Sequence, residues 1–177
     1  MIGEESFHPD TRALLAYGRA LAGAGATPKK GGADQVLERI FVIERTSDGR
    51  WPVRTFGAEL AKVFGRDLRD HDFARFFLPA DLNLMTALID SAAAAGEPAI
   101  ARVTAEAAGG ALLGAEILLT PLRVEPNFGD RFLCLFQALG GEAFVEGKVL
   151  TRIRLGSLHP PEAKEPKQRA RLVVVND

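Results

Sequence analysis

Between Trp51 and Asp81 the chain compresses a strand, a short helix and a second helical turn into a stretch too short for a βαβ crossover. Trp51 to Phe56 reads as a strand, with Pro52 near its start, where a missing N–H costs no ladder bond. Gly57 to Phe64 is amphipathic, turning Leu60, Val63 and Phe64 inward, and Gly65 ends it in the C-cap role. Arg69 to Leu78 then places Phe73, Phe76 and Phe77 close together, and three such rings must be buried jointly or leave an exposed apolar patch. A wall of short helices against one face of a sheet satisfies this; a wound parallel α/β fold does not.

The flanking sequence supplies the sheet. Val36 to Thr46 is rich in Val, Ile and Phe and ends at the turn Ser47-Asp48-Gly49-Arg50, which returns the chain antiparallel into Trp51. Pro79-Ala80-Asp81 opens a longer helix to about Ala95, with Asp81 expected as N-cap and Leu82, Met85, Leu88, Ile89 and Ala92 on its buried side. Three strands follow: Ala99 to Ala107, Ala111 to Val124 and Arg131 to Leu139. The last two are apolar on both faces, with Phe132, Cys134 and Phe136 on one side and Leu133 and Leu135 on the other. A sheet with one wet face alternates, so a further element or a second subunit must cover the far face.

The N-terminal segment offers that cover. Asp10 or Thr11 is expected to cap a helix from Arg12 to about Leu21, with Leu14, Tyr17 and Leu21 on its apolar stripe, followed by a Gly-rich connector. After Gly140-Gly141, Phe144 to Leu155 reads as helical or extended, the stretch from Leu158 as a basic linker, and Val173–Val175 as a short β-type end. The expected organisation is residues 1–33 as helix and linker, 34–140 as a folded domain, and 141–177 as a basic extension.

At 177 residues with a formal net charge of −1, the chain has an ordinary globular composition and no global field to draw nucleic acid or an anionic membrane. One cysteine, Cys134, rules out an intramolecular disulfide and fits a reducing compartment. The N-terminus lacks a basic n-region and an apolar h-region, and no apolar run reaches the roughly 20 residues of a membrane span. A cytoplasmic protein is expected.

The order of two strands, short helices, a longer helix and three strands resembles the PAS domain. The run Arg54-Thr-Phe-Gly-Ala-Glu-Leu-Ala-Lys-Val-Phe-Gly-Arg-Asp-Leu, followed by Phe77-Leu-Pro-Ala-Asp, is similar to an alphaproteobacterial subfamily of single-domain PAS proteins. The resemblance covers about residues 34–139. It implies an α+β fold, a five-stranded antiparallel sheet with short helices on one face. It further implies a sensory or protein-interaction module, often a homodimer through an N-terminal helix on the sheet's outer face.

Candidate chemistry is sparse. Light-sensing PAS domains of the LOV type carry a flavin-reactive cysteine after Gly-Arg, where this chain has Gly65-Arg66-Asp67-Leu68, so flavin is not expected. The long helix has no histidine to ligate haem, and His71 lies in the polar run Asp70-His71-Asp72, so haem is not expected either. Asp67, Asp70, His71 and Asp72 match no metal-site spacing and read as caps of short helices. Arg66 and Arg69 read as solvated surface cations, or as a site for an anion at a helix N-terminus. Hydrolase, P-loop and dinucleotide signatures are absent, and no enzyme activity is expected. Phe56, Leu60, Phe64, Phe73, Phe77, Leu88, Ile117 and Phe136 are the expected lining of an apolar ligand pocket. The expected partners are a second copy and other signalling proteins. The alternative is nucleotide or nucleic-acid binding by the basic tail, Lys164 to Arg171, although no aromatic is interleaved there for base stacking.

Overall fold

The computed structural model describes residues 4–22, 36–122, 130–140 and 146–161. Its elements in chain order are α1 (Pro9–Ala22), β1 (Ile40–Glu44), β2 (Val53–Phe56), α2 (Ala58–Phe64), a 3₁₀ turn (Phe73–Phe76), α3 (Pro79–Ala95), β3 (Ala99–Ala107), β4 (Leu112–Leu122), β5 (Arg131–Ala138) and β6 (Leu150–His159). The strands form a single sheet in the order β2-β1-β5-β4-β3-β6, antiparallel throughout. The expected α+β architecture is present, with six strands in place of five.

The sixth strand corrects the reading of residues 150–159 as linker or undecided segment. β6 pairs with β3 along its length, and the register breaks twice, between Arg102 and Val103 and between Glu106 and Ala107. Opposite the inward residues Ala101, Val103, Ala105 and Ala107 lie Leu158, Leu155, Ile153 and Leu150. The inward positions of β6 therefore fall at spacings of three, two and three, and two bulges hide the alternation that identifies a strand in sequence.

Both long helices start on a proline, one or two residues before the expected caps. α3 has Pro79 in its first turn and Leu78 in the cap position. Asp81 is not the cap: its Oδ2 accepts the Leu155 N–H of β6 at 3.0 Å. In α1 the His8 Nδ1 accepts the Asp10 N–H at 3.2 Å, and Thr11 is fully buried. Proline presets the helical φ and lacks an N–H that would go unpaired there, so it belongs inside the helix. Gly65 ends α2 as expected, at φ 62 with its N–H on the Lys62 carbonyl.

Helices α2 and α3 and the 3₁₀ turn cover the inner face of the sheet, around a core that includes Trp51, Phe73, Met85, Ile89, Ile117 and Phe132. On the outer face α1 lies along β4, where Phe7 and Leu15 pack on Ile100, Leu118 and Leu135, with Leu14 beside them. This is the cover that the doubly apolar strands demanded. The docked face centres on Thr11, Leu15 and Gly18; Tyr17 is half-exposed and joins neither core cluster, and the side chain of Leu21 lies outside the described residues. The basic tail and Val173–Val175 also lie outside them.

Both borders of the sheet are occupied over part of their length. Along β2, Val53 donates to the His71 carbonyl at 2.9 Å and accepts from the Asp70 N–H at 2.8 Å, while Phe73 donates to Trp51 at 2.9 Å. Along β6, Leu78 donates to the Ile153 carbonyl at 3.0 Å, next to the Asp81–Leu155 bond.

Candidate functional site: a filled inner face, a side cleft and a docked helix

The eight expected pocket residues converge. Leu60, Phe64, Phe73, Phe77, Leu88, Ile117 and Phe136 belong to one buried cluster, and Phe56 packs against it half-buried. They meet as packed rings: Phe73 lies 5.6 Å from Phe77 and 6.0 Å from Phe76, and Phe64 lies 5.4 Å from Phe76 and 6.1 Å from Phe136. Edge-on and tilted arrangements of this kind are favourable beyond the area they bury. The void left among Leu60, Phe64, Phe73, Phe136 and their neighbours is about 10 Å³, room for about one water molecule.

A larger space opens to the side. Between α2 and the segment 146–149, which leads into β6, lies a cleft of about 630 Å³. Its apolar lining comes from Leu60, Val63, Leu113, Phe136 and Ala138, with Val149 on the opposite wall, and the charged residues Arg39, Glu59, Lys62, Glu146 and Lys148 stand at its mouth. Val149 stands against the end of α2, and its Cγ2 lies 2.5 Å from where a Cβ on Gly65 would fall. The inward spacing of Leu60 and Phe136 is legible in the sequence. The cleft is not legible there, because its other walls come from a turn and from strand ends.

Arg39 links the cleft to α1. Its guanidinium donates to Gln137 Oε1 and, at 3.1 Å, to Asp10 Oδ2 in the first turn of α1, and its Nε lies 3.7 Å from Glu59 of α2. Gln137 is buried on the outer side of β5. The only hint in sequence was one amide at the end of an otherwise apolar strand.

A second polar joint holds the other end of the α1 segment. Glu116 of β4 is fully buried and accepts the His8 N–H at 3.0 Å and Arg102 Nη2 at 3.2 Å. Arg102 also lies over the Phe7 ring at 5.2 Å and donates to the Ser6 carbonyl at 2.5 Å. His159, the last residue of β6, sets its ring edge-on to Phe7 at 5.0 Å and bonds Ser157 at 3.0 Å. Burial, helped by the Arg102 charge and opposed by Glu116, holds the His159 pKa below its ordinary value. A buried carboxylate needs partners, and here they are the guanidinium and the backbone entering α1. Two hydroxyls in the helix–sheet contact, on Thr11 and Thr120, are buried without a partner among the described residues.

The acidic run takes a different role from the expected capping. Asp67 accepts from the Arg69 Nε and backbone N–H, and that hydrogen bonding lowers its pKa to about 2. Asp70 pairs with Arg54 at 2.6 Å, and Asp72 accepts the Trp51 N–H at 3.2 Å without capping the turn that follows it. His71 is exposed, Arg69 is occupied by Asp67, and Arg66 lies over the Phe76 ring at 5.3 Å. Among the described residues no three metal-ligating side chains come together, and no helix is long and apolar enough to cross a membrane. Cys134 is fully buried, and burial pushes its thiol well above the ordinary range.

A family model described as PAS domain matches residues 6–137. Among solved structures, the dark structure of the blue-light photoreceptor Aureochrome1 LOV aligns at 11% identity and a TM-score of 0.45, covering 67% of this chain and 91% of that one. No curated protein matches the chain.

Proposed function

The chain belongs to the PAS family, and from that premise we propose that it is a non-catalytic sensory and regulatory module of the cytoplasm whose output is protein–protein contact at the outer face of its sheet. The observation that carries this reading is the way α1 is attached. It rests on few apolar residues, chiefly Phe7 and Leu15, two polar joints and two unpartnered hydroxyls. Each unpartnered buried hydroxyl costs about 1–3 kcal/mol, while each buried Phe or Leu contributes about 1.5–3 kcal/mol. The docked helix is thus held far more weakly than the inner core. Released, it uncovers Ile100, Leu118 and Leu135, an apolar strip suited to a signalling protein or to a second copy of the chain. The rings that fill the inner face support a module that works without a resident flavin or haem.

Phe7→Ala in the full chain tests this. Hydrogen exchange in α1 should accelerate while the strands stay protected, and light scattering should show a shift from monomer toward dimer at the same concentration. Unchanged exchange in α1, or a released helix with no change in self-association or partner capture, would count against the reading.

A further inference from the structure

We propose that the cleft between α2 and the segment 146–149 binds a small soluble amphipathic acid, an apolar chain with one carboxylate, and that its head group draws Arg39 away from Asp10. The inference rests on the module reading above and supplies its input.

The volume, about 630 Å³, is that of a small-molecule site. The floor, with Leu60, Val63, Leu113 and Phe136, offers a chain apolar contact and no hydrogen bonds. The mouth selects the sign of the head. Arg39, Lys62 and Lys148 stand there against Glu59 and Glu146, and Glu59 is already engaged by Arg39 at 3.7 Å. Lys62, in the last turn of α2, has no ion-pair partner among the described residues. A carboxylate at the mouth therefore finds two cations to pair with, Lys62 and Arg39, and a cationic head meets repulsion at both.

The consequence for α1 follows from Arg39 being shared. The side chain that forms the cleft wall also donates to Asp10 Oδ2 at 3.1 Å, inside the first turn of the docked helix. A second carboxylate competing for one guanidinium weakens the first bond. The cleft and the outer face are thereby coupled through one residue, and the coupling is reciprocal, so conditions that undock α1 tighten acid binding.

Decanoate is the probe, titrated calorimetrically into the full chain, with decanol and acetate for comparison. The expected result is one decanoate per chain, with decanol weaker by about tenfold and acetate giving no heat. Lys62→Glu, a surface change that leaves the fold intact, should weaken decanoate by at least about tenfold and leave decanol unchanged. Val63→Trp, which fills the floor, should weaken both. No decanoate binding, or binding indifferent to both substitutions, overturns the site whatever α1 does. Faster exchange in α1 with decanoate but not with decanol supports the site and the module reading together. Saturable decanoate binding that depends on Lys62 but leaves α1 exchange unchanged supports the site and overturns the coupling, while the module reading stands or falls on Phe7→Ala.

Discussion

Gly18 of α1 sits so close over Thr120 of β4 that a Cβ at position 18 would overlap Thr120 Cγ2, with Oγ1 only 3.1 Å away. Glycine inside a helix ordinarily costs about 0.5–1 kcal/mol relative to alanine. Here the overlap reverses the sign, since crowding a packed contact costs about 1–3 kcal/mol. Gly18→Ala should lower stability and speed α1 exchange, and Thr120→Ala should recover most of the loss. Urea denaturation of the two single variants and the double should give a coupling of about 1 kcal/mol or more; additive effects would show that the helix does not rest on Thr120.

Asp81 provides the second test. Its carboxylate accepts the Leu155 N–H at 3.0 Å, and hydrogen bonds to charged groups contribute about 1.5–3 kcal/mol. Asp81→Ala should cost stability of that order and accelerate exchange at Leu155 with little change in helix content, and Asp81→Asn should lose less. A variant that loses helix content with Leu155 exchange unchanged would return Asp81 to a capping role.

His159 makes the joint at Phe7 sensitive to pH. Its folded pKa lies below the ordinary value of 6.5, because burial and then Arg102 disfavour the charged form. The unfolded chain therefore binds the proton first, and stability falls as pH drops from about 6.5 toward the folded pKa. Above about 6.5 both states are neutral and the effect vanishes. Urea midpoints of wild type and His159→Gln, taken from about pH 7.5 to about pH 5, should converge on acidification. A constant gap would mean that His159 does not titrate in that window.

Cys134 should be silent. With its thiol buried and raised far above the ordinary range, native protein should react with a thiol reagent only as fast as it unfolds, so labelling tracks global stability across urea. Prompt labelling without denaturant would place the thiol at a surface.

Much of the architecture is legible in sequence, and the reasons for the misses are local. Leu60, Phe64, Phe73 and Phe136 were recognisable as one cluster because helical and strand periods each turned them inward, and the structure brings them together. Residues 150–159 were not recognisable as a strand, because bulges set Leu150, Ile153, Leu155 and Leu158 at irregular spacing. In α1 the expected stripe runs through Leu14 and Tyr17, yet Gly18 lets the adjoining face through Thr11 and Leu15 approach the sheet, with Leu14 at its border and Phe7, before the helix, anchoring it. Arg39 and Glu116 are not singled out by any sequence pattern. Their roles depend on partners 98 and 108 residues away, which no local pattern encodes.

The occupied borders of the sheet limit how this protein can assemble. The turn through His71 takes the outer hydrogen bonds of β2 near Val53, and the chain from Phe77 to Asp81 takes those of β6 at Ile153 and Leu155. An incoming strand finds those positions taken, which hinders lateral accretion there. The outer face under α1 offers a different route, face-on, and a face can be saturated. Assemblies of this chain should therefore have a fixed, small stoichiometry, set by how many faces a molecule can uncover at one time.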